Sequence, residues 1–354
     1  MAIARRDYSL NGEETRRAWE KGLVSADWYQ SPVPRARLKE LMKRRNFPAL
    51  WHLFLWFALI AGLGVLTWFT WGTWWMVPVY FAYCTILGGS SDPRWHEFGH
   101  GTATAIPWLN DAVYNFASFF LLREPTIWRW SHTRHHTDTI IVGRDPEIIT
   151  PRPPNFRSLL FAAFNLNIGV KAIRHVFIHA CGKKTFPEED FVPESEWWRV
   201  YLAARVWIAI WFGVIALAIA TGSVLPIALV LVPPFVGFWI ALFFGVTQHL
   251  ALADDVLDHR LCTRTVYMNP VLRFLYLNMN YHVEHHMFPL VPYHALPKLH
   301  EEIKADCPPP CPSVWAAYRE LVPTLFKQRR DPELWIHKEL PQAPAEAKVA
   351  AAAE

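Results

Sequence analysis

The chain has 354 residues, 52% of them hydrophobic, and its 35 Lys and Arg residues against 31 Asp and Glu give a formal net charge of +4. By length alone it could hold two soluble domains, but the apolar residues are concentrated in long runs without a charge. This concentration excludes an ordinary soluble protein and favours an integral membrane protein. We expect no nucleic-acid partner.

Residues 1–48 predict a basic cytosolic N-terminal arm. The first thirty residues are charged and contain no apolar stretch of the kind found in a cleavable signal peptide, so the first apolar run has to act as the targeting signal. A cluster of cations precedes that run: Arg35, Arg37, Lys39, Lys43, Arg44 and Arg45. Such a cluster is typical of a cytosolic membrane flank, and it is also a plain solvated or lipid-facing surface.

Four apolar runs follow, each near the length of about 20 residues that crosses a bilayer. They are Ala49 to Trp71, Thr73 to Gly89, Val206 to Thr221 and Val224 to Val246. They predict an all-α polytopic membrane protein with four transmembrane helices in two hairpins and a cytosolic helical cap. The hairpin turns, at Gly72 and at Gly222, carry no Lys or Arg, so the positive-inside bias places both termini in the cytosol.

Eight histidines lie in three short clusters outside these runs. The first box, HEFGH, contributes His96 and His100; the second, HTRHH, contributes His132, His135 and His136; the third, HVEHH, contributes His282, His285 and His286. Helical positions i, i+3 and i+4 share one face, so we expect each box to aim all its rings at a common point. Imidazole is the commonest protein ligand for iron, zinc and copper, and eight ligands are too many for one ion.

Two other patterns compete for attention. HEFGH also matches the zinc metalloprotease motif, which would leave most of the histidines unexplained and is a distant alternative. Residues 253–260, ADDVLDHR, form a polar patch with His259 that either orients a ligand, steers an electron donor or is a solvated loop. The five cysteines contain no CxxC pair, which argues for free thiols in a cytosolic placement.

The three boxes, by their spacing, their order and their position after each hairpin, resemble those of the integral-membrane fatty acid desaturase and hydroxylase superfamily. Two local sequences are similar to its desaturase branch: the tripeptide DPE at residues 145–147 and the segment NYHVEHHMFPLVPYHALPKLH at residues 280–300. The resemblance covers residues 49–303, which we take as the membrane di-iron domain. Residues 304–340 are then a cytosolic C-terminal segment, and the low-complexity residues 341–354 are expected to be a disordered tail.

The resemblance implies two non-haem irons, O2 as oxidant and hydrogen removal from an unactivated C–H bond of an acyl chain or other hydrophobic substrate held at the membrane lipid. It implies that the eight box histidines are metal ligands and that His249, in TQHL, is a ninth. Glu97, Asp145 and Glu284 are candidates for carboxylates that orient those ligands.

The sequence contains neither a haem-binding HPGG motif nor a rubredoxin-like CxxC pair. We therefore expect a separate electron donor, either ferredoxin, rubredoxin or cytochrome b5 with its reductase. The boxes do not decide between desaturation and hydroxylation, a small-molecule desaturase keeps the same boxes, and a non-enzymatic metal-binding scaffold is a further alternative. Because no organelle-retrieval motif is present, we predict a bacterial inner membrane with the boxes on the cytosolic side.

Overall fold

The computed structural model describes residues 6–24 and 27–341, and these residues form eighteen α-helices and two isolated β-bridges. All but one residue of the predicted disordered tail, 341–354, lie outside the described part of the chain. In chain order the α-helices are α1 Glu13–Glu20, α2 Arg35–Leu41, α3 Asn46–Thr70, α4 Met76–Cys84, α5 Ser91–Gly99, α6 Pro107–Leu121, α7 Pro125–Thr137, α8 Phe156–Ala163, α9 Ile168–Ala180, α10 Trp197–Thr221, α11 Leu225–Val230, α12 Pro233–Val236, α13 Trp239–His249, α14 His259–Cys262, α15 Pro270–Leu275, α16 His282–Met287, α17 Leu296–Ile303 and α18 Val314–Gln328.

Two stretches of helix in the described residues are long and apolar enough to cross a membrane. They are Arg35–Thr70, which contains α3, and Glu194–Thr221, which contains α10. The 25 residues of α3 extend about 37 Å at 1.5 Å per residue, more than the hydrocarbon thickness of about 30 Å. Large apolar side chains such as Phe69 and Ile219, each 77% exposed, cover both helices, as lipid contact requires.

A bent pair of helices provides a third candidate span. Helices α8 and α9 pass the same length and hydropathy test as a pair bent by 70°. Leu160 and Val170, one on each helix, are exposed. Residues 6–24 and 27–341 thus contain two helices that are long and apolar enough to span a membrane, or three candidate spans if the bent pair is one span.

The second and fourth predicted spans are not single long helices. The second consists of the nine residues of α4 followed by a π-helix, Thr85–Gly89. The fourth is divided into α11, α12 and α13. Pro233 and Pro234 lack the backbone N–H that would continue a helix, which explains the break between α11 and α12. The pattern of apolar residues did not reveal these interruptions.

Glycines allow the two interrupted segments to pack backbone against backbone. A Cβ atom added at Gly237 would lie 1.8 Å from the Cys84 carbonyl oxygen, and one added at Gly88 would lie 2.0 Å from the Pro233 carbonyl oxygen. Real Cβ contacts are never this short, so these positions require glycine. This packing fixes where α13 begins and hence where His249, its last residue, lies.

The main core joins the apolar helices to the cap, a name we use for residues 6–24, 27–45, 91–149 and 250–341. Its buried members include Trp56 on α3, Phe98 on α5, Tyr114 on α6, Phe244 on α13 and Leu299 on α17. A single continuous core of this kind holds the helices that carry the histidine boxes in a fixed relation to one another.

The N-terminal arm packs on the cap. Arg6 forms ion pairs with Asp254, Asp255 and Glu14. The Thr15 hydroxyl donates to the Gly143 carbonyl at 2.7 Å. The polar patch around residue 254 therefore anchors the arm.

Candidate metal centre

Nine buried or half-buried histidines form two groups in which the ring nitrogens of each group lie within 4.8 Å of one another. The first group, which we call site A, contains five: His96, His100, His132, His136 and His285. The second, site B, contains four: His135, His249, His282 and His286. The sites adjoin, since the rings of His136 and His286 stack with centroids 4.3 Å apart. All nine histidines named from the sequence are therefore brought together.

The second and third boxes divide between the two sites, so the expectation that each box aims at one point was wrong. In the second box, His132 and His136 point to site A and His135 points to site B. The physical reason is the helical period of 3.6 residues, which rotates each successive residue by about 100°. Positions i and i+4 differ by about 40°, whereas i+3 and i+4 differ by about 100° and face different sides.

The third box divides in the opposite sense. His282 and His286 point to site B, and His285 points to site A. Both histidines of the first box, on α5 and at its end, belong to site A. Since α7 and α16 each contribute to both sites, any movement of one helix would affect both.

Four of the nine histidines have their Nδ1 atom hydrogen-bonded, which leaves Nε2 to face the site. His135 Nδ1 is 2.8 Å from Asp145 Oδ2, and His132 Nδ1 is 3.1 Å from Glu147 Oε2. His249 Nδ1 is 2.9 Å from the Cys262 carbonyl oxygen, and His286 Nδ1 is 3.2 Å from the Thr139 hydroxyl. Partners of this kind fix the ring orientation and the tautomer of ligating histidines.

Of the three carboxylates predicted to orient metal ligands, only Asp145 contacts one of the nine histidines. Asp145 contacts a clustered histidine, His135, as expected. Glu284 instead bonds to His300 Nδ1 at 2.5 Å and accepts from Thr265, so it supports the third box from behind. Glu97 accepts hydrogen bonds from Thr102 and from the Tyr293 backbone. The contacts of Glu97 and Glu284 are thus with neighbouring side chains and backbone and not with the nine histidines.

Glu147 is a site carboxylate that the sequence analysis missed. It contacts His132 and accepts from the Ser131 hydroxyl at 2.9 Å. The signal was present, since Glu147 is the third residue of the DPE tripeptide whose first residue, Asp145, was selected. One short turn thereby supplies a carboxylate to each site.

The environment of Glu97 argues against a zinc protease. A general base in HExxH has to lie beside the metal, but the Glu97 carboxylate is 2.8 Å from the Thr102 hydroxyl and 3.2 Å from the Tyr293 nitrogen. Burial raises the pKa of Glu97 to about 8, so the carboxyl is largely protonated at neutral pH. A protonated carboxyl in this place is a structural hydrogen-bonding group.

The histidine rings are suited to bind metal. Burial lowers the pKa of His96, His136 and His286 well below the ordinary value, and the neighbouring histidines lower it further. These rings are therefore neutral at physiological pH, with a lone pair available. In His135, burial acts in the same direction, but the Asp145 carboxylate outweighs it and raises the pKa.

Ring nitrogens whose hydrogen-bonding capacity is not satisfied show whether the two sites suit a bound metal ion. His96 Nε2 is buried without a hydrogen-bond partner. His282 Nε2 lies 3.1 Å from both His249 Nε2 and His286 Nε2, although a single ring nitrogen carries only one proton or one lone pair. Converging, unsatisfied imidazole nitrogens of this kind fit a bound transition metal at each site.

A cavity of about 570 Å³ reaches both sites. Site A contributes His96 and His132 to its lining, and site B contributes His135, His249 and His282. Most of its wall surface is apolar, with contributions from α5, α7, α8, α13 and residues 140–152. The apolar lining includes Trp95, Trp128, Ala162, Phe238, Ala241 and Gly245, and charged side chains such as Arg152, Lys171 and Glu188 also line the cavity. The volume lies in the range of about 300 to 1,000 Å³ typical of small-molecule sites.

His175 and His179 have helical spacing but belong to neither site. His175 Nδ1 is 3.3 Å from Glu188, and His179 Nε2 is 2.7 Å from the Thr185 hydroxyl. The two histidines therefore connect α9 to the following loop.

Comparison with curated proteins shows several distant relatives in plants. A Delta(12) fatty acid dehydrogenase of Crepis alpina is 26% identical over 255 residues, 62% of this chain and 65% of the relative. A Delta(12)-oleate desaturase of Trichosanthes kirilowii is 24% identical over 69% of this chain and 75% of the relative. An acyl-lipid omega-3 desaturase (cytochrome b5) of the endoplasmic reticulum of Arabidopsis thaliana is 23% identical over 67% and 64%. The chain thus spans about two thirds of the length of these relatives.

These relatives are plant proteins, and one is named for the endoplasmic reticulum, so they give no support to the predicted bacterial inner membrane. A family comparison matches residues 72–318 to the fatty acid desaturase model. The match contains all three boxes, both histidine groups and most of the residues that line the cavity. The chain therefore belongs to the fatty acid desaturase family of enzymes.

Proposed function

We propose that the protein is an O2-dependent di-iron oxidoreductase that desaturates an acyl chain or lipid. One observation supports this most directly: two all-imidazole sites, one with five histidines and one with four, adjoin at the wall of a largely apolar cavity. Nitrogen donors without thiolate suit non-haem iron, and two separate sites call for two metal ions. In the overall reaction, a CH2–CH2 unit, O2, two electrons and two protons give a CH=CH unit and two water molecules.

In this proposal site A and site B each hold one iron, through the Nε2 atoms of their histidines. The irons would supply activation of O2 and the oxidising power to remove two hydrogens from the substrate. Asp145 and Glu147 hold His135 and His132 in the tautomer that presents Nε2 to the site. The Cys262 carbonyl accepts a hydrogen bond from His249 Nδ1 and gives that ring the same orientation.

The cavity provides the place for the hydrophobic substrate. Trp95 is buried between site A and the cavity, with its ring 5.3 Å from that of His132. Arg123 stacks on Trp95 at 4.2 Å and pairs with Asp92, so its charge is neutralised at the cavity wall. An apolar chain lying between α8 and α13 would exclude water from the histidines and place its C–H bonds beside both sites.

The membrane arrangement that we propose keeps four crossings in two hairpins, with the second and fourth interrupted. Broken helices occur at membrane depth where protein covers the freed backbone groups, and the close contact of Gly88 and Gly237 with carbonyl groups supplies such cover. The boxes and both termini then face the cytosol. A separate donor, of the ferredoxin, rubredoxin or cytochrome b5 type, reaches the cap from that side.

The test combines metal analysis with product analysis. Detergent-purified wild type should contain two irons per chain, and cells that express it should contain a new unsaturated lipid detected by gas chromatography with mass spectrometry. His285→Ala, in site A, should lose the product, whereas His337→Ala, at an exposed histidine outside both sites, should keep it.

The alternatives give different results in the same experiment. A hydroxylated product would replace desaturation by hydroxylation. Two irons without a lipid product would direct the search to small hydrophobic substrates. One zinc per chain with unchanged lipids would contradict the di-iron proposal.

A further inference from the structure

A chain of ring contacts leads from the surface of the cap to site B. The Trp28 and His259 rings stack in parallel, with centroids 4.2 Å apart and an interplanar angle of 7°. The His259 ring lies 5.2 Å from that of His286, a member of site B. Trp28 is partly exposed, whereas His259 and His286 are both 3% exposed.

His259 is a buried histidine that the metal sites leave unused. It belongs to neither site, and its Nδ1 atom has no hydrogen-bond partner although it is buried. The stacking on Trp28 and the contact with His286 make the His259 ring an aromatic bridge between them. Its neighbour Arg260 is fixed by ion pairs to Asp258 and Asp306, which holds the short helix α14 in place.

Trp28 is fixed on both sides. Its indole N–H donates to the Thr137 carbonyl at 3.0 Å, at the end of the helix that carries the second box. The next residue, Tyr29, donates its backbone N–H to Leu257 and its hydroxyl to Asp306. The Arg260 guanidinium lies 3.5 Å from the centroid of the Tyr29 ring. The stack is therefore a rigid contact and not a loose surface ring.

We propose that Trp28 and His259 form the route by which electrons enter site B, and that the donor docks over Trp28. This proposal rests on the proposed di-iron function. Electron tunnelling weakens steeply with distance, and stacked π systems shorten the gap between donor and acceptor. Each donor molecule would lose one electron: one electron would reduce an iron held by site B from ferric to ferrous, a second would pass through site B to reduce the iron held by the adjoining site A, and the two together supply one turnover. Neither ring undergoes a net gain or loss of an electron or a proton.

The position of the stack supports this role. The described residues that line the cavity include His135, His249 and His282 of site B, but not Trp28, His259 or His286. Electrons would therefore enter on one side of site B while the substrate occupies another. A second pair of contacting rings near the histidines, Trp95 and Trp128, lies in the cavity wall, where a bound substrate would cover it.

The surface near Trp28 suits an acidic one-electron protein. Ser31 and Tyr29 both donate to Asp306, just beyond the end of α17, and Arg37 on α2 pairs with Glu302 in the last turn of α17. Helix α2 therefore lies on the same part of the cap as the stack. Its cations and those after it are mostly exposed: Arg35, Lys39, Lys43, Arg44 and Arg45. Complementary charge of this kind speeds the association of a negatively charged donor.

The test measures anaerobic electron delivery without lipid substrate, so it does not depend on the reaction product. Iron-loaded protein is mixed in a stopped-flow instrument with reduced cytochrome b5 or reduced ferredoxin, and oxidation of the donor is followed by its absorbance. With the faster of the two donors, Trp28→Leu should slow oxidation by about an order of magnitude, and Trp28→Phe should keep most of the rate. Trp19→Leu is the matched control, because Trp19 lies on the same arm and contacts Arg144.

Two further measurements separate electron delivery from structure. Iron content and the rate of reduction by dithionite, which is small enough to bypass the docking surface, should be unchanged in Trp28→Leu. Lys39→Glu combined with Lys43→Glu should raise the donor concentration needed for half-maximal rate and leave dithionite reduction unchanged. His259→Leu should reproduce the effect of Trp28→Leu.

Several results would overturn the proposal. One is an unchanged donor rate in Trp28→Leu. Another is an equal loss of the dithionite rate or of iron, which would show a structural role. A third is a wild type that neither protein donor reduces although dithionite does. A protein that binds two irons and accepts electrons without making a product would contradict the proposed desaturase function while leaving this route intact.

Discussion

Replacing Asp145 by asparagine should weaken metal binding at site B and leave site A nearly intact. The Asp145 side chain is fully buried. Its Oδ2 atom lies 2.8 Å from His135 Nδ1 and accepts the Ile140 backbone N–H at 2.8 Å, while Oδ1 accepts that of Glu147 at 2.8 Å. An amide has one oxygen for these three donors, so its NH2 group must face either a backbone N–H or His135.

If the NH2 group faces His135, the ring has to present Nδ1 as an acceptor, which moves the proton to Nε2 and removes the lone pair from site B. Loss of a partner of this kind typically lowers metal affinity about 10- to 100-fold, or about 1.4 to 2.7 kcal/mol. Chelator competition on detergent-purified protein, with iron counted per chain, measures this directly. We expect one iron to be lost at a lower chelator concentration and the second to be retained.

Asp138→Asn is the matched control, because Asp138 is a similarly buried carboxylate that pairs with Arg134 and Arg144. Glu147→Gln should give the complementary result, with weaker binding at site A through His132. The reasoning would be refuted if Asp145→Asn kept both irons at the wild-type chelator concentration, or if both irons were lost together in each variant.

Three further outcomes follow from the packing and the cavity. Gly237→Ala should destabilise the protein by about 1 to 3 kcal/mol, because the new Cβ would overlap the Cys84 carbonyl oxygen. Gly213→Ala, whose new Cβ would have no atom within 4 Å, should be neutral or slightly stabilising. Thermal unfolding in detergent compares the two variants, and equal melting temperatures would contradict the backbone contact. Gly245→Leu should fill the cavity and shift the products of the proposed reaction to shorter chains. Gly245→Ala should change little, because its Cβ would lie 4.0 Å from Ile149 in ordinary contact. An unchanged product profile in Gly245→Leu would place the substrate elsewhere. Burial raises the pKa of Glu124 to about 7, above the pKa of about 4.5 that the residue has in the unfolded chain. The free energy of unfolding of the wild type therefore falls as the pH rises through this range. Glu124→Gln lacks this loss and should gain up to about 3 kcal/mol relative to wild type, and chemical unfolding at pH 5 and pH 8 tests the sign.

The histidines that can bind metal could be identified from the sequence, eight of them through the local spacing of the boxes and His249 through the family resemblance. Each box lies within five residues, and the nine histidines named from the sequence are the nine that form sites A and B. The all-helical class and the spans containing α3 and α10 also follow from local patterns, since a long apolar run without charges has few alternatives to a membrane helix.

The division of the boxes between two sites required the tertiary structure. Helical spacing turns His135 away from His132 and His136, but only the positions of α5, α13 and α16 around α7 decide which nitrogens meet. The same limit explains why Glu147 was missed and why Glu97 and Glu284 bond elsewhere, since hydrogen-bond partners depend on residues far away in sequence.

The interrupted apolar segments and the packing of the N-terminal arm on the cap show the same distinction between local sequence pattern and long-range contact. Hydropathy records how apolar a segment is, whereas the packing of the second segment against the fourth depends on a contact between Gly88 and Pro233, which lie far apart in the chain. The sequence of the N-terminal arm indicates only charge, yet folding stacks Trp28 of that arm on His259. Residue type and spacing therefore determined which groups can bind metal, and long-range packing decided how those groups divide into sites and which surface leads to them.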